Sequence, residues 1–315
     1  MISWLKEYKL FVISLLLTGI LFYNLGTLNK KIESRSDSTK RYNYLSSTLF
    51  GKQSDDIIIN FTQLREVMKQ RHAEKKLPVG IYFEYLPTGS SIGVDDQMEV
   101  EIGSLGKVPA VMAVFKNIEE GKIAAQDQLI LKKEHLDSQF GDLYKRGEGA
   151  QLSVEEAVEL SLVKSDNTAI NALLEKIDAE TQDGVFDELD LPKTTDGAYP
   201  IMSPKSFASV FRNLYLSSYL TDEHSNKILD LLANSEFNDK LPAGLPGGTK
   251  MAHKIGVFEQ ANSKTVYNDC GIVYAVNRPY ILCVMAATDE QTARSEMIAY
   301  SKMVYSFVSQ IDTSK

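Results

Sequence analysis

The order of strand-like and helix-like segments constrains the fold most, because strands are predicted at both ends of the main part of the chain. Apolar, β-branched runs at residues 79–85 and 91–94 flank a turn at residues 87–89, which predicts a hairpin. Helical patterns fill the middle, at residues 108–120, 153–162, 169–177 and 204–216. The end of the chain has β-rich runs and then a helix, at residues 252–257, 267–275, 280–286 and 292–308. We predict an α+β fold in which both ends of the domain form one antiparallel sheet flanked by helices, beside an all-helical subdomain.

An apolar run near the N-terminus predicts a membrane anchor. Residues 10–28 form a stretch of roughly 19 residues, close to the ~20 that span hydrocarbon. A cleaved signal peptide is the alternative, but no alanine occurs before Ala73, so an A-x-A cleavage site is absent. We predict a cytoplasmic stub and a transmembrane helix over residues 1–28.

Two signals for the orientation of this anchor disagree. Lys6 and Lys9 precede it, and more cations follow it, namely Lys30, Lys31, Arg35, Lys40 and Arg41. The positive-inside rule would therefore place the following domain in the cytoplasm. We nevertheless expect a single-pass protein of the cell membrane whose following domain is extracytoplasmic, because the motifs of that domain outweigh the charge count.

The remainder of the chain divides into a linker and one domain. Residues 29–54 are rich in Ser, Lys, Arg and Asn without a sustained period, which is typical of a solvated linker. Apolar side chains then recur at helical spacing, so the domain over residues 55–315 should begin with an amphipathic helix. The predicted apolar stripe of this helix consists of Ile58, Phe61, Leu64, Val67 and Met68.

Composition excludes several classes of partner and cofactor. The 315 residues carry a formal net charge of -8, whereas nucleic-acid binding needs a basic face. The two cysteines, Cys270 and Cys283, and the scattered histidines match no metal-ligand spacing. We expect a monomer with no nucleic-acid partner, no metal and no other cofactor. The sequence leaves open whether the two cysteines pair.

A nucleophile and an amine stand one helical turn apart at Ser104 and Lys107. A serine hydroxyl attacks a carbonyl poorly until a base removes its proton, and a lysine three residues later on the same helix face can reach it. Lys107 must be neutral for this, which requires burial or a neighbouring cation, for which Lys254 is the candidate. The first N–H groups of the helix, including that of Ser104, could hold an oxyanion. Alternatively, Ser104 is only a helix N-cap.

Two further motifs complete the candidate site. Ser165 and Asn167 stand in a predicted loop, where the hydroxyl could relay a proton to a leaving group and the amide could position the substrate or the lysine. In the third motif, a predicted strand, Lys254 supplies positive charge and Gly256 lets a substrate approach the backbone. The Val257 N–H would be the second oxyanion donor. Each motif alone also has an ordinary structural explanation, such as an Asx-type helix cap for the second.

A different serine motif does not indicate a nucleophile. The run from Gly89 to Gly93 matches G-x-S-x-G, but a nucleophile elbow needs a strand before it and a helix after it. Strand-like sequence follows here, so we predict a hairpin turn and no Ser-His-Asp triad.

Together, the three motifs resemble the S-x-x-K, S-D-N and K-T-G set of serine β-lactamases and penicillin-binding proteins. The similarity extends from about Phe61 to the end of the chain, and residues 237–254 and 268–280 resemble the C-terminal half of a class A β-lactamase. The resemblance implies the β-lactamase/transpeptidase-like fold and an acyl-enzyme on Ser104. It also implies the roles argued above for Lys107, Ser165, Asn167 and Lys254.

Three departures from the family pattern concern turnover and substrate binding. Family members with efficient lactamase activity carry a Glu that activates the deacylating water, whereas the corresponding loop of this chain has Asp196 as its one carboxylate. Ile255 replaces the hydroxyl residue of K-T-G, and Val257 offers no hydroxyl, so two contacts for a substrate carboxylate are absent. The departures favour acylation over rapid hydrolysis of the acyl-enzyme, and they argue against penicillin or D-Ala-D-Ala as the natural substrate.

The resulting prediction is a membrane-anchored, extracytoplasmic serine hydrolase that acts on an amide or lactam, either a small molecule or a peptidoglycan-derived peptide. One alternative is a D-alanyl-D-alanine carboxypeptidase-like cell-wall peptidase, which the missing Glu favours and Ile255 disfavours. Another is a catalytically weak penicillin-binding or sensor ectodomain.

Overall fold

The structure is a computed structural model that describes residues 42–46, 60–192, 200–259 and 265–311. Within these residues no helix is both long enough and apolar enough to cross a membrane. The predicted anchor at residues 1–28 lies outside the described residues, and so does most of the predicted linker.

Two units make up the chain, Met1–Ser54 and Asp55–Lys315. The helices of the second unit are α1 (Thr62–Lys75), α2 (Lys107–Glu119), α3 (Val154–Val163), α4 (Asn167–Leu174), α5 (Ala179–Glu188), α6 (Pro204–Leu216), α7 (Asp222–Ala233) and α8 (Glu290–Ser309). Its strands are β1 (Val79–Tyr85), β2 (Ser90–Val94), β3 (Val100–Glu101), β4 (Gln128–Ile130), β5 (Gln151–Ser153), β6 (Ile201–Met202), β7 (Lys250–Glu259), β8 (Thr265–Tyr274) and β9 (Tyr280–Ala286).

Side-chain caps fix where most of the helices begin. In each case a Ser, Thr or Asp accepts the backbone N–H three residues later, which satisfies one of the unpaired donors of a first helical turn. These caps are Ser153, Asp166, Asp178, Ser203, Thr221 and Asp289.

The main sheet is built from both ends of the domain, as predicted. Its order is β2-β1-β9-β8-β7, and the neighbouring strands are antiparallel. The hairpin predicted around Gly89 is confirmed, since Tyr85 pairs with Ser90 across the turn. Ser91 is part of β2, opposite Glu84, so the G-x-S-x-G match is a strand and not a nucleophile elbow. β7 is left at the edge of the sheet.

The hydrophobic core lies between this sheet and the helices α1 and α8. Phe61, Leu64 and Met68 are buried there against Met297 and Tyr300. The amphipathic helix predicted for the start of the domain is therefore confirmed, although it begins only at Thr62, and Ile58 of the predicted stripe lies outside the described residues. One member of the predicted stripe is wrong: Val67 is 43% exposed, because it lies at the margin of the face that Leu64 and Met68 bury.

The helix α2 runs through the interior of the helical region. Most of its side chains are apolar and buried, including the fully buried Val108, Val111 and Met112, whereas Glu119 at its end is partly exposed. Lys107, the first residue of the helix, is buried as well.

A row of opposed residues crosses the sheet at the middle of β7. Lys254 pairs with Cys270 of β8, and Cys270 pairs with Cys283 of β9. The two cysteines form a disulfide, with their Cα atoms 4.0 Å apart, and both are fully buried. The pairing that the sequence leaves open therefore holds β8 to β9 next to Lys254.

Gly271 should be intolerant of a side chain, because it lies opposite His253 in the strand next to β7. A Cβ atom at this position would lie 2.3 Å from the backbone oxygen of Ala252 and 2.5 Å from the Cβ of His253. We expect Gly271→Ala to lower the free energy of unfolding by about 1–3 kcal/mol in urea titrations. Gly247→Ala is the control, since no heavy atom lies within 4 Å of its Cβ position. Equal stability of the two variants would contradict the packing described here.

Candidate active site

The candidate nucleophile lies where a tight turn contacts the edge strand. Residues Gly103–Gly106 form a 3-10 turn directly before α2. A Cβ atom on Gly256 would lie 2.1 Å from the backbone oxygen of Ile102, and one on Gly103 would lie 2.5 Å from that of Val257. Gly103 also has a φ of 53°, which glycine adopts without strain. The turn therefore holds the residue after Gly103 beside the backbone of Val257.

Ser104 follows Gly103 and is partly exposed at the wall of a cleft. Its neighbour Leu105 is fully buried and fixes the turn against the core. Because α2 starts at Lys107, Ser104 lies in the 3-10 turn before the helix and not on the helix itself, which corrects the predicted placement of both groups on one helix. Within the described residues, the hydrogen bonds of the Lys107 amine go to other groups and not to Ser104.

The Lys107 amine is held by oxygen atoms of Ser165, between α3 and α4, and of Asn167, the first residue of α4. Its Nζ donates to Asn167 Oδ1 at 2.6 Å, to Ser165 Oγ at 3.3 Å and to the Ser165 carbonyl oxygen. Lys107 is only 6% exposed. The structure thus brings together the first two sequence motifs around one buried amine.

Lys254 approaches the same hydroxyl from β7. Its Nζ donates to Ser165 Oγ at 2.7 Å and to the Ile255 carbonyl oxygen at 3.3 Å, and the ring of Phe237 lies over it with its centroid 5.9 Å away. Lys254 is completely buried. Ser165 Oγ therefore lies within hydrogen-bonding distance of two amines, which joins all three motifs in one cluster.

Burial determines the charge of both amines. Burial lowers the pKa of Lys107 to about 7, although the negative charges of Asp166 and Asp137 partly oppose the shift. Burial, and then the positive charge of Lys107, hold the pKa of Lys254 well below its usual range, and Asp269 opposes this. A neutral amine is therefore available near neutral pH. The main cause of the low pKa of Lys107 is burial. The sequence alone allows either burial or a neighbouring cation.

The loop that carries Ser165 is fixed by the carboxylate of Asp166. This side chain caps α4 through the N–H of Ala169 at 2.9 Å and also accepts the N–H of Leu143 at 2.9 Å. Ser165 has a φ of 54°, an unusual conformation for a residue other than glycine. The helix-cap explanation of this motif is thus confirmed, and the cap also fixes the position of the hydroxyl.

The cleft beside Ser104 has a volume of about 860 Å³. Of the predicted site residues, Ser104, Lys107, Asn167 and Val257 line it. Ser165, Lys254 and Gly256 are buried behind its wall. Asp196, the one carboxylate of the loop in which the family pattern has a Glu, lies outside the described residues.

Sequence reasoning missed several residues that line or support the cleft. Asp137 and Phe140 come from the loop between α2 and α3, and Glu259 comes from the end of β7. Phe237, from the loop after α7, contacts Phe140 with ring centroids 6.4 Å apart. These residues belong to none of the motifs, and only the tertiary fold brings them to the site.

The chain belongs to the Beta-lactamase enzyme family, whose sequence profile matches residues 61–308. It is 26% identical to Beta-lactamase 3 of Bacillus cereus over 247 residues, which is 71% of this chain and 76% of that protein. It is 28% identical to the Beta-lactamase of Streptomyces albus G over 160 residues, 46% of this chain and 50% of that protein. The resemblance inferred from the motifs is confirmed.

Solved structures confirm the β-lactamase/transpeptidase-like fold. The structure of PBP-A superposes with a TM-score of 0.71 at 25% identity, and covers 78% of this chain and 96% of PBP-A. The TLA-3 extended-spectrum β-lactamase has a TM-score of 0.73 at 17% identity, and covers 80% of this chain and 100% of that chain. A variant of PBP-A in an acyl-enzyme complex with penicillin-G is also similar, with a TM-score of 0.70, 26% identity, and coverage of 78% and 96%.

The negative charge of Asp137 should have a measurable effect on the pKa of Lys107. Because a nearby carboxylate favours the protonated amine, we expect Asp137→Asn to lower the pKa of Lys107 below its value of about 7. The measurement is an NMR titration of the lysine side chains, in which the Lys107 signal is assigned from a Lys107→Arg spectrum. Glu134→Gln, an exposed carboxylate of the same loop, is the control and should leave the Lys107 titration unchanged. A higher or unchanged pKa in Asp137→Asn would exclude this electrostatic coupling.

Proposed function

We propose that this protein is a serine hydrolase that forms an acyl-enzyme on Ser104 with a β-lactam or a related amide. The observation that carries the proposal is the position of Ser165 Oγ, 2.7 Å from one buried amine and 3.3 Å from another. Hydroxyl and amine groups that share protons in a buried network beside a candidate nucleophile are typical of acyl-transfer sites.

The proposed reaction begins when the neutral Lys107 amine takes the proton of Ser104. Ser104 Oγ then attacks the carbonyl carbon, and the negative charge that develops on the carbonyl oxygen is stabilised by the N–H groups of Ser104 and Val257. Such a base often moves into hydrogen-bonding distance only when substrate binds, which agrees with the contacts of Lys107 in the free protein.

Collapse of the intermediate breaks the bond between carbon and nitrogen. Ser165 donates its proton to the departing nitrogen and recovers one from the Lys107 and Lys254 amines that hydrogen-bond to it. Water then hydrolyses the ester, which releases the acid and restores the Ser104 hydroxyl. In a lactam the nitrogen stays attached to the acyl group, but the same bonds form and break.

A second candidate function is that of a penicillin-binding peptidase, in which the acyl-enzyme is long-lived toward lactams. The absence of the family Glu from the sequence favours it, as does the similarity to PBP-A, a variant of which is described as an acyl-enzyme complex with penicillin-G. The two functions share the acylation step and differ in the rate of deacylation. The same acylation without turnover of any substrate would indicate a sensor domain.

Mass spectrometry of the intact protein tests acylation directly. Incubation with a β-lactam should add the mass of the lactam, and the adduct should map to Ser104 and be absent from Ser104→Ala. Because only neutral Lys107 can act as the base, the acylation rate should rise about tenfold from pH 6 to pH 8, through the pKa of about 7, and then level off. No adduct at any pH, with a folded protein, would rule out the proposed chemistry.

The lifetime of the adduct in the same time course separates the two functions. Decay within minutes, with release of the hydrolysed lactam, indicates a β-lactamase. Persistence for hours, combined with release of D-alanine or amine from a muramyl peptide, indicates a peptidase.

We also propose that residues 10–28 anchor the protein in the cell membrane, with the catalytic domain outside the cytoplasm. The length and apolar character of this run support the proposal. The full chain should remain in the membrane pellet after alkaline carbonate washing, and a chain without residues 1–28 should be released. Protease added to intact spheroplasts should degrade the domain, whereas protection of the domain would indicate the opposite orientation.

A further inference from the structure

We propose that the acyl donor of this site carries no free carboxylate next to the scissile bond. The leaving group is neutral or carries an ammonium group, as in an amide bond inside a longer peptide. This inference rests on the proposed acyl-enzyme function and specifies its substrate class.

The amine on which a substrate carboxylate would depend is sealed from the cleft. Lys254 is completely buried, and two of its N–H directions are used by Ser165 Oγ at 2.7 Å and by the Ile255 carbonyl oxygen at 3.3 Å. The face of the Phe237 ring lies over the amine, with its centroid 5.9 Å away. An incoming carboxylate would have to displace this ring to reach the amine.

The covering ring is itself held in place by the wall of the cleft. Phe237 packs edge-on against Phe140, which lines the cleft, with ring centroids 6.4 Å apart. The carbonyl oxygen of Phe140 accepts the N–H of Asn167 at 3.0 Å, so one ring is tied to the start of α4. The two rings therefore form an apolar cover between the cleft and Lys254.

The strand that carries Lys254 offers no hydroxyl group beside it. Ile255 is apolar and only 3% exposed, and Val257, which lines the cleft, is apolar as well. The other amine, Lys107, already donates to oxygens of Ser165 and Asn167. Among the described residues that line the cleft, Lys107 is the only lysine or arginine.

The other charged side chains among the described residues that line the cleft are negative. Asp137 and Glu259 both line it, and Glu259, at the exposed end of β7, forms no ion pair with a described residue. Like charges near a binding site disfavour an anionic ligand, and they favour a neutral or cationic one. The negative charge of the cleft thus disfavours a substrate carboxylate, as does the cover over Lys254.

The chemistry proposed above does not need a carboxylate on the leaving group. Ser104 Oγ forms a bond to the carbonyl carbon, the bond from carbon to nitrogen breaks, and Ser165 supplies the proton of the leaving amine. The leaving peptide departs as an amine with its remaining residues attached, and water completes the hydrolysis. A donor with an internal amide therefore satisfies every step.

Benzylpenicillin and its methyl ester form a matched pair for the test, because they share the lactam and differ only in the free carboxylate. The second-order rate of acylation of Ser104 is measured for each compound by intact mass. A site that binds the carboxylate would react about tenfold to a hundredfold more slowly with the ester. We expect the ester to react at least as fast as the acid. An acid that reacts tenfold faster or more would overturn the inference.

Variants of Phe237 test whether its ring is the reason that the site does not bind a carboxylate. Phe237→Ala removes the cover from Lys254, and we expect the acid to gain about tenfold over the ester in this variant. Phe237→Leu, which keeps an apolar cover, should retain the selectivity of the original protein. An unchanged ratio in a folded Phe237→Ala would overturn the assigned role of the ring. If neither compound acylates Ser104, the proposed function fails and this inference falls with it, a result distinct from a preference for the acid.

Discussion

One hydroxyl shared by two buried amines is the interaction on which the site depends. Burial of an ammonium without a counterion is expensive, and neither Lys107 nor Lys254 forms an ion pair with a described carboxylate. The fold accommodates the pair because low pKa values allow the amines to be neutral, and because oxygens of Ser165, Asn167 and Ile255 accept their N–H groups. The cap formed by Asp166 and the contact between Gly103 and Val257 bring the supporting elements into place.

The elements of the fold were predictable where a periodic apolar pattern marks them. The strands of the main sheet and the helices α2, α3, α4, α6 and α8 all lie where these patterns predict them. The helices α5 and α7 were not predicted. α5 contains Gly184 and has few apolar residues, so its periodicity is weak, whereas Thr221 followed by two acidic residues is a helix-start signal that could have identified α7. The exposure of Val67 shows that helical spacing alone does not determine how wide the buried face of a helix is.

The site was predictable in its motifs and not in its surroundings. Ser104 and Lys107 are close in sequence, and their chemistry can be inferred from one helical turn. The contact of Ser165 with Lys254 joins residues 89 positions apart, and only the resemblance to a family indicates it in the sequence. Phe237 could not be assigned a role, because its position over Lys254 depends on how the loop after α7 packs against Phe140.

The edge position of β7 has a consequence for the behaviour of the protein in solution. An open sheet edge exposes unpaired backbone groups that can recruit a strand of another molecule, which is a common start of aggregation. The turn Gly103–Gly106 contacts the backbone of β7 at Gly256 and Val257, so this stretch is shielded from other chains. A substitution that loosens the turn would therefore expose the edge of β7 and promote aggregation. The same substitution would also move Ser104 from its position.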